Sequence, residues 1–169
     1  FIKLLKEQDQ VAKLNPEAKT VVFSNIVVFI NEQVEQRLLD KNITMSLSLE
    51  IAEANLRIEE GLLVQVLVNL ISNAIKFSYF DSEIKVRIYS EDSRLKISVA
   101  DKGVGFDKTQ IEELFKKFTK MSRLGTANEL STGIGLYLCK KIIERHKGTL
   151  TAASEGKNKG AEFKIEFEV

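Results

Sequence analysis

An α/β (α+β) fold, a two-layer sandwich with a mixed sheet of about five main strands and three helices on one face, is what this 169-residue sequence predicts. Three observations lead there. Three segments carry apolar residues at helical spacing, and stretches with strand-like alternation separate them. The best alternating pair, around residues 84–99, has one apolar and one polar face, as a sheet covered on one side requires. The length and the composition, 44% hydrophobic and 29% charged, suit one globular domain with a real core.

The elements follow in order. Residues 1–18 are polar with scattered apolar positions and read as the tail of a helix from an absent neighbour; Asn15-Pro16 is a breaker. The domain is expected over 19–169, and the start at Phe1 reads as a fragment boundary. Thr20 to Phe23 suggests a short strand. Ser24 is an N-cap candidate for a helix to about Asp40, with Ile26, Ile30, Val34 and Leu38 on one stripe. Ile43, Met45, Leu47 and Leu49 alternate as in a strand, and Asn55 to Ile58 suggests another. The second helix runs from Glu60 to about Phe80, its stripe Leu63, Leu67, Leu70, Ala74 and Phe77 facing a sheet. Ile84, Val86 and Ile88 then form a hairpin with Leu95, Ile97 and Val99 across Glu91-Asp92-Ser93. A short amphipathic piece lies near Ile111 to Phe118. The third helix spans Gly133 to Lys147 and stops at Gly148. A closing hairpin sets Leu150 and Ala152 against Phe163, Ile165, Phe167 and Val169 across Gly156 to Gly160.

Composition excludes several function classes. One cysteine and one histidine rule out an internal disulfide and a multi-histidine or Cys/Cys zinc site. A formal charge of +1 gives no overall attraction to nucleic acid. The longest unbroken apolar run is Ile26 to Ile30, so no membrane contact is expected.

Three short constellations could carry chemistry. Asn69, Asn73 and Lys76, at i, i+4 and i+7, share a helix face about 100° from the apolar stripe. Asparagine carbonyls suit a hard cation and the lysine a phosphate, although the same pattern fits a solvated helix edge. Asp101-Lys102-Gly103-Val104-Gly105 follows a strand; its carboxylate can accept from an exocyclic amino group, and by itself it also fits an ordinary turn. Thr132-Gly133-Ile134-Gly135-Leu136 opens the third helix, where backbone N–H groups and the helix dipole favour an anion. It is neither a Walker loop nor a dinucleotide fingerprint. About 30 residues separate the last two signals and carry Lys116, Lys117, Lys120 and Arg123. A cationic flap over a polyphosphate and a basic solvated loop both fit.

The order of these signals resembles the ATP-binding catalytic domain of sensor histidine kinases, a member of the fold family that includes DNA gyrase, Hsp90 and MutL. Gln65 to Ser78 is similar to the family's N box, Asp101 to Gly105 to its G1 box, Leu114-Phe115 with Phe118 to its F box, and Thr132 to Leu136 to its G2 box. The resemblance implies ATP and Mg²⁺ as ligands, with a lid between the DxGxG and GxG motifs. Asn73 would coordinate the metal, with Asn69 beside it as a second candidate, and Lys76 and Lys120 would contact phosphate. Asp101 would bind the adenine amino group, with Gly103 and Gly105 leaving room for the base. Phe115 would anchor the lid, and Thr132, Gly133, Ile134, Gly135 and Leu136 would form the phosphate-side turn. The sequence departs from the pattern at Ser131, a possible cap in place of the first G2 glycine, and at Lys117, Thr119 and Ala161.

The implied reaction is transfer of the γ-phosphoryl group of Mg·ATP to a histidine, within two-component signalling. Hydrolytic members of the fold family carry a glutamate base four residues before the metal-binding asparagine; here that position is Asn69, an amide without basic function. His146, in Glu144-Arg145-His146-Lys147-Gly148, reads as a helix cap, so the acceptor histidine is expected on an upstream two-helix dimerisation domain. A response regulator receiver domain, a homodimeric parent and a cytoplasmic location, with or without a membrane anchor, are further implications. A non-catalytic nucleotide sensor is the alternative, and a related ATPase fits less well. Cys139 reads as a packing residue.

Overall fold

The computed structural model describes residues 17–117, 125–129 and 133–169. Its main sheet contains β2 (Thr44–Leu49), β4 (Glu83–Glu91), β5 (Arg94–Asp101), β7 (Ala161–Glu168) and β6 (Gly148–Ala153), in that spatial order. β2 and β4 are parallel, and the other three pairings are antiparallel. The last strand in sequence, β7, therefore lies inside the sheet between β5 and β6. A separate antiparallel ribbon joins β1 (Lys19–Val22) to β3 (Glu53–Leu56).

The side-chain alternation read from sequence decides which face is covered. Ile84, Val86 and Ile88 of β4, Leu95, Ile97 and Val99 of β5, and Phe163, Ile165 and Phe167 of β7 are all buried on one side. Their register matches across strands, Ile88 opposite Ile97 and Ile97 opposite Ile165. Against this face lie α1 (Phe23–Asp40), α2 (Glu60–Phe77) and α4 (Gly135–Arg145); a single turn, α3 (Ile111–Leu114), sits apart from them. Leu63, Leu67, Leu70 and Ala74 of the α2 stripe are buried as its spacing requires, whereas Phe77, the last of the stripe, is only half-buried. By length and composition α2 could cross a membrane, but its buried residues belong to this core.

The boundaries correct several expectations. Ser24 is not the cap of α1: the helix starts at Phe23 behind an extended Val22, without a side-chain cap. Phe23 is fully buried and its N–H donates to Ala52 O at 2.9 Å, so tertiary anchoring replaces capping. Helix α2 stops at Phe77 rather than Phe80, because Ser78 turns extended and bridges Gly103. Helix α4 begins at Gly135, two residues later than expected, behind Ile134. At its other end Lys147, not Gly148, takes the left-handed conformation, at φ 60°. Gly148 opens β6, where a Cβ would sit 2.6 Å from the Phe167 ring.

His146 is the α4 cap residue, its Nδ1 2.7 Å from Ile142 O, as its sequence context suggested. Cys139 is fully buried, and burial pushes its thiol up to about 12. We expect no labelling of Cys139 by an alkylating reagent at neutral pH until the chain is unfolded; stoichiometric labelling of the native protein would contradict this packing.

Candidate functional site

The polar face of α2 forms one wall of a cavity of about 710 Å³. Asn69, Asn73 and Lys76 line it, as their shared helix face predicted, together with Ser72. Asn73 Nδ2 is 3.4 Å from Asn69 Oδ1, so the two amides lie side by side. Arg37 of α1 reaches across to donate to Ser72 Oγ at 2.7 Å. The α4 start closes on the same wall, since a Cβ at Gly135 would press on the Asn69 amide at 2.9 Å. The Asn69 oxygen faces the Asn73 NH2 group, and the Asn73 carbonyl is the amide oxygen of the pair that suits a hard cation whose remaining ligands come from phosphate and water.

The same cavity is lined by Asp101, the last residue of β5, which is buried. Gly103 N donates to its Oδ1 at 2.8 Å. Desolvation raises its carboxyl to about 6, against hydrogen bonds from the Gly103 and Ala161 backbones that lower it. A buried carboxylate beside the apolar Phe106 and Phe163 can receive an amino group on a flat aromatic ring.

Gly105, Gly133, Ile134, Gly135 and Leu136 also line the cavity, whereas Gly103 and Phe115 do not. The glycines have reasons internal to the protein. A Cβ at Gly103 would lie 2.0 Å from Phe77 O, and one at Gly105, where φ is 57°, would lie 2.3 Å from Gly156 O. Phe115 is buried edge-on against Phe163, with ring centroids 6.5 Å apart, which suits an anchor. Of the basic segment, Lys116 pairs with Glu113, and the Lys117 ammonium stands 4.7 Å from the centroid of the Tyr137 ring. The expectations for Phe118, Thr119, Lys120, Arg123, Ser131 and Thr132 lie outside the described residues.

Sequence reading missed the groups that hold this wall in place. The last four carbonyls of a helix have no partner within it, and α2 accounts for all of them. Ala74 O accepts from Ser78 N at 2.9 Å and Phe77 O from Val104 N at 3.0 Å. Lys41 Nζ, almost fully buried, donates to Ile75 O at 3.0 Å and Lys76 O at 2.9 Å. The same ammonium meets Thr126 Oγ1 at 2.7 Å and Glu129 Oε1 at 2.7 Å. Burial would raise the Glu129 pKa, but the Lys41 hydrogen bond, backbone hydrogen bonds and the Lys41 charge hold it below its ordinary value. Lys76 is lowered, first by burial; Glu129 opposes the shift and the Lys41 charge adds to it. Ser154 Oγ accepts from Phe106 N at 3.2 Å and donates to Gly160 O at 2.6 Å, fastening the β6–β7 loop below Asp101. No spacing signal marks Lys41, whose side chain acts on residues far away in the chain, or the reach of Ser154 to Phe106.

A family model described as histidine kinase-, DNA gyrase B-, and HSP90-like ATPase matches residues 58–169. The adaptive-response sensory kinase SasA of Synechococcus elongatus is 28% identical over 156 residues, covering 92% of this chain and 39% of SasA. Among solved structures, ShkA, determined full-length in complex with AMPPNP, superposes with a TM-score of 0.75 at 23% identity, over 90% of this chain and 31% of ShkA. The histidine kinase ThkA, in complex with the response regulator protein TrrA, gives 0.70 at 20% identity, over 99% of this chain and 48% of ThkA. The structural likenesses establish the fold. The chain spans well under two thirds of the length of these relatives.

Proposed function

The chain belongs to the histidine kinase-, DNA gyrase B-, and HSP90-like ATPase family, and from that premise we propose that it binds Mg·ATP and passes the γ-phosphoryl group to a histidine on a separate two-helix domain. One observation carries the reading: a single cavity joins the Asp101 carboxylate, the Asn69–Asn73–Lys76 face and the α4 start.

In this reading Asp101 accepts a hydrogen bond from the adenine amino group, and Phe106 and Phe163 offer apolar surface to the base. The Gly133–Leu136 turn presents the α4 N-terminus to the phosphates, where the helix dipole favours negative charge. Asn73, with Asn69, holds Mg²⁺, which offsets phosphate charge when bound. Lys76 adds a positive charge, and an arriving phosphate raises its lowered pKa again. In the transfer, an imidazole nitrogen of the acceptor forms a bond to the γ-phosphorus as the bond to the bridging oxygen breaks, and ADP leaves. The chain contributes positioning and charge neutralisation. Asn69 stands where a hydrolytic base would be needed, which favours a histidine acceptor over water. A two-helix histidine domain and a response regulator are the partners this reading requires, with a dimeric parent acting on the cytoplasmic side.

The test is direct. The chain should bind Mg·ATP, and Asn73→Ala should weaken binding about tenfold or more while removing its dependence on Mg²⁺. Supplied with the two-helix domain of its own parent, it should place acid-labile phosphate on a histidine. Binding without transfer under those conditions would replace the kinase reading with that of a nucleotide sensor.

A further inference from the structure

We propose that residues 125–129 form a plug, pinned by Lys41, that positions Lys76 for the nucleotide phosphates and thereby sets the preference for ATP over adenosine. The inference deepens the ATP-binding reading above and rests on it.

The plug is built around one carboxylate and one ammonium. Gly125 N donates to Glu129 O at 2.9 Å and Ala127 N to Glu129 Oε2 at 2.8 Å, so the five residues close on themselves. Lys41 enters from the turn after α1 and engages Glu129 and Thr126 together. The closed loop is then fastened to the exit of α2. Thr126 N donates to Lys76 O at 3.0 Å, and Thr126 Oγ1 donates to Ser78 O at 2.5 Å. Gly125 lies so close to Lys76 that an added Cβ would be 2.6 Å from Lys76 Cγ and 2.7 Å from Lys76 O. The plug therefore fixes both the backbone and the stem of Lys76, the penultimate residue of its helix, where an unsupported turn would fray. Lys41, Lys76, Ala127 and Glu129 all line the cavity.

Burying a lysine ammonium is costly unless it is paired and fully hydrogen-bonded. Helix capping alone would not demand that cost, since an exposed lysine near a C-terminus meets the dipole equally well. Lys41 instead joins two segments far apart in the chain at the residue that faces the phosphates. Asp101 is held by the Gly103 and Ala161 backbones rather than by plug residues, so a plug acting through Lys76 should affect phosphate-bearing ligands more than adenosine. Lys41 is accordingly a positioning residue, acting through Lys76.

Calorimetric titration of each variant of the chain with Mg·ATP and with adenosine tests the proposal. Gly125→Ala alters no charge, and the double variant Lys41→Gln/Glu129→Gln preserves the net charge, so neither effect reduces to a change of field. Each should weaken Mg·ATP about tenfold while adenosine stays within about twofold of wild type. Thr126→Val should behave likewise, and Thr126→Ser, which keeps the hydroxyl, should match wild type. Unchanged ATP affinity in Gly125→Ala and in the double variant would overturn the proposal, as would equal weakening of both ligands, the mark of a general loosening. Failure of the wild-type chain to bind Mg·ATP would instead remove the underlying reading.

Discussion

Replacing Asp101 with alanine should abolish nucleotide recognition, lowering affinity for Mg·ATP and for adenosine alike by about 100-fold or more. A charge-assisted hydrogen bond contributes about 1.5–3 kcal/mol, and its loss also leaves buried N–H donors without an acceptor. Gly103 N is such a donor, at 2.8 Å from Asp101 Oδ1. The same carboxyl gives a pH signature. Burial raises it from 3.8 to about 6, so the folded chain holds a proton that the unfolded chain releases across that interval. Its contribution to stability is greatest below pH 3.8 and declines as pH rises towards 6. Ligand recognition runs the other way, because the ionised form accepts more strongly from an amino group. Adenosine, which carries no phosphate to titrate, should bind more weakly as pH falls through about 6. In Asp101→Asn this dependence should vanish. A flat wild-type profile, or full affinity in Asp101→Ala, would remove Asp101 from the base pocket.

Gly103→Ala should be strongly destabilising for so small a change. Its new Cβ would meet Phe77 O at 2.0 Å, Phe77 C at 2.6 Å and Ser78 Cα at 2.9 Å, all backbone atoms that no rotamer change can move aside. Relief requires parting the Ser78–Gly103 bridge and the bond from Val104 N to Phe77 O. Overpacking of this kind costs about 1–3 kcal/mol and more where backbone must shift. For a domain of this size, about 3 kcal/mol corresponds to a fall in Tm of about 6–12 °C. Adenosine affinity should fall as well, since the Gly103 N–H orients Asp101. A thermal scan within about 2 °C of wild type would show that the junction yields more easily than its contacts imply.

Much of this architecture could be read from the sequence, and what escaped has physical causes. The β4–β5 hairpin was legible because alternation and a two-residue turn are local; Asp92 and Ser93 both take positive φ, as a tight hairpin of this kind needs. The Asn69–Asn73–Lys76 face was legible because helical spacing alone brings those residues together. Helix ends were less so. Phe23 obeys a tertiary contact rather than a capping preference, Lys147 takes the left-handed turn in place of a glycine, and Gly148 serves the packing of Phe167 rather than a helix terminus. The glycines of the DxGxG motif were anticipated as space for a ligand, yet each abuts protein backbone. Lys41 was invisible because its side-chain partners lie tens of residues away, as was the contact of Ser154 with Phe106, and a polar residue in a turn carries no periodic signature.

The placement of β7 bears on how such a chain is made. A ribosome delivers residues in order, at about 5–20 per second. After Asp101 emerges, β5 exposes one unpaired edge until the residues of β7 follow, roughly several seconds later. Helices α1 and α2 and the parallel β2–β4 pair can form in that interval, but the apolar face of β5 and the cavity floor remain incomplete. The strand that completes the sheet arrives last and must enter between β5 and β6. Folding is therefore expected to finish only after residue 168 is available, and an exposed β5 edge is the hazard during synthesis.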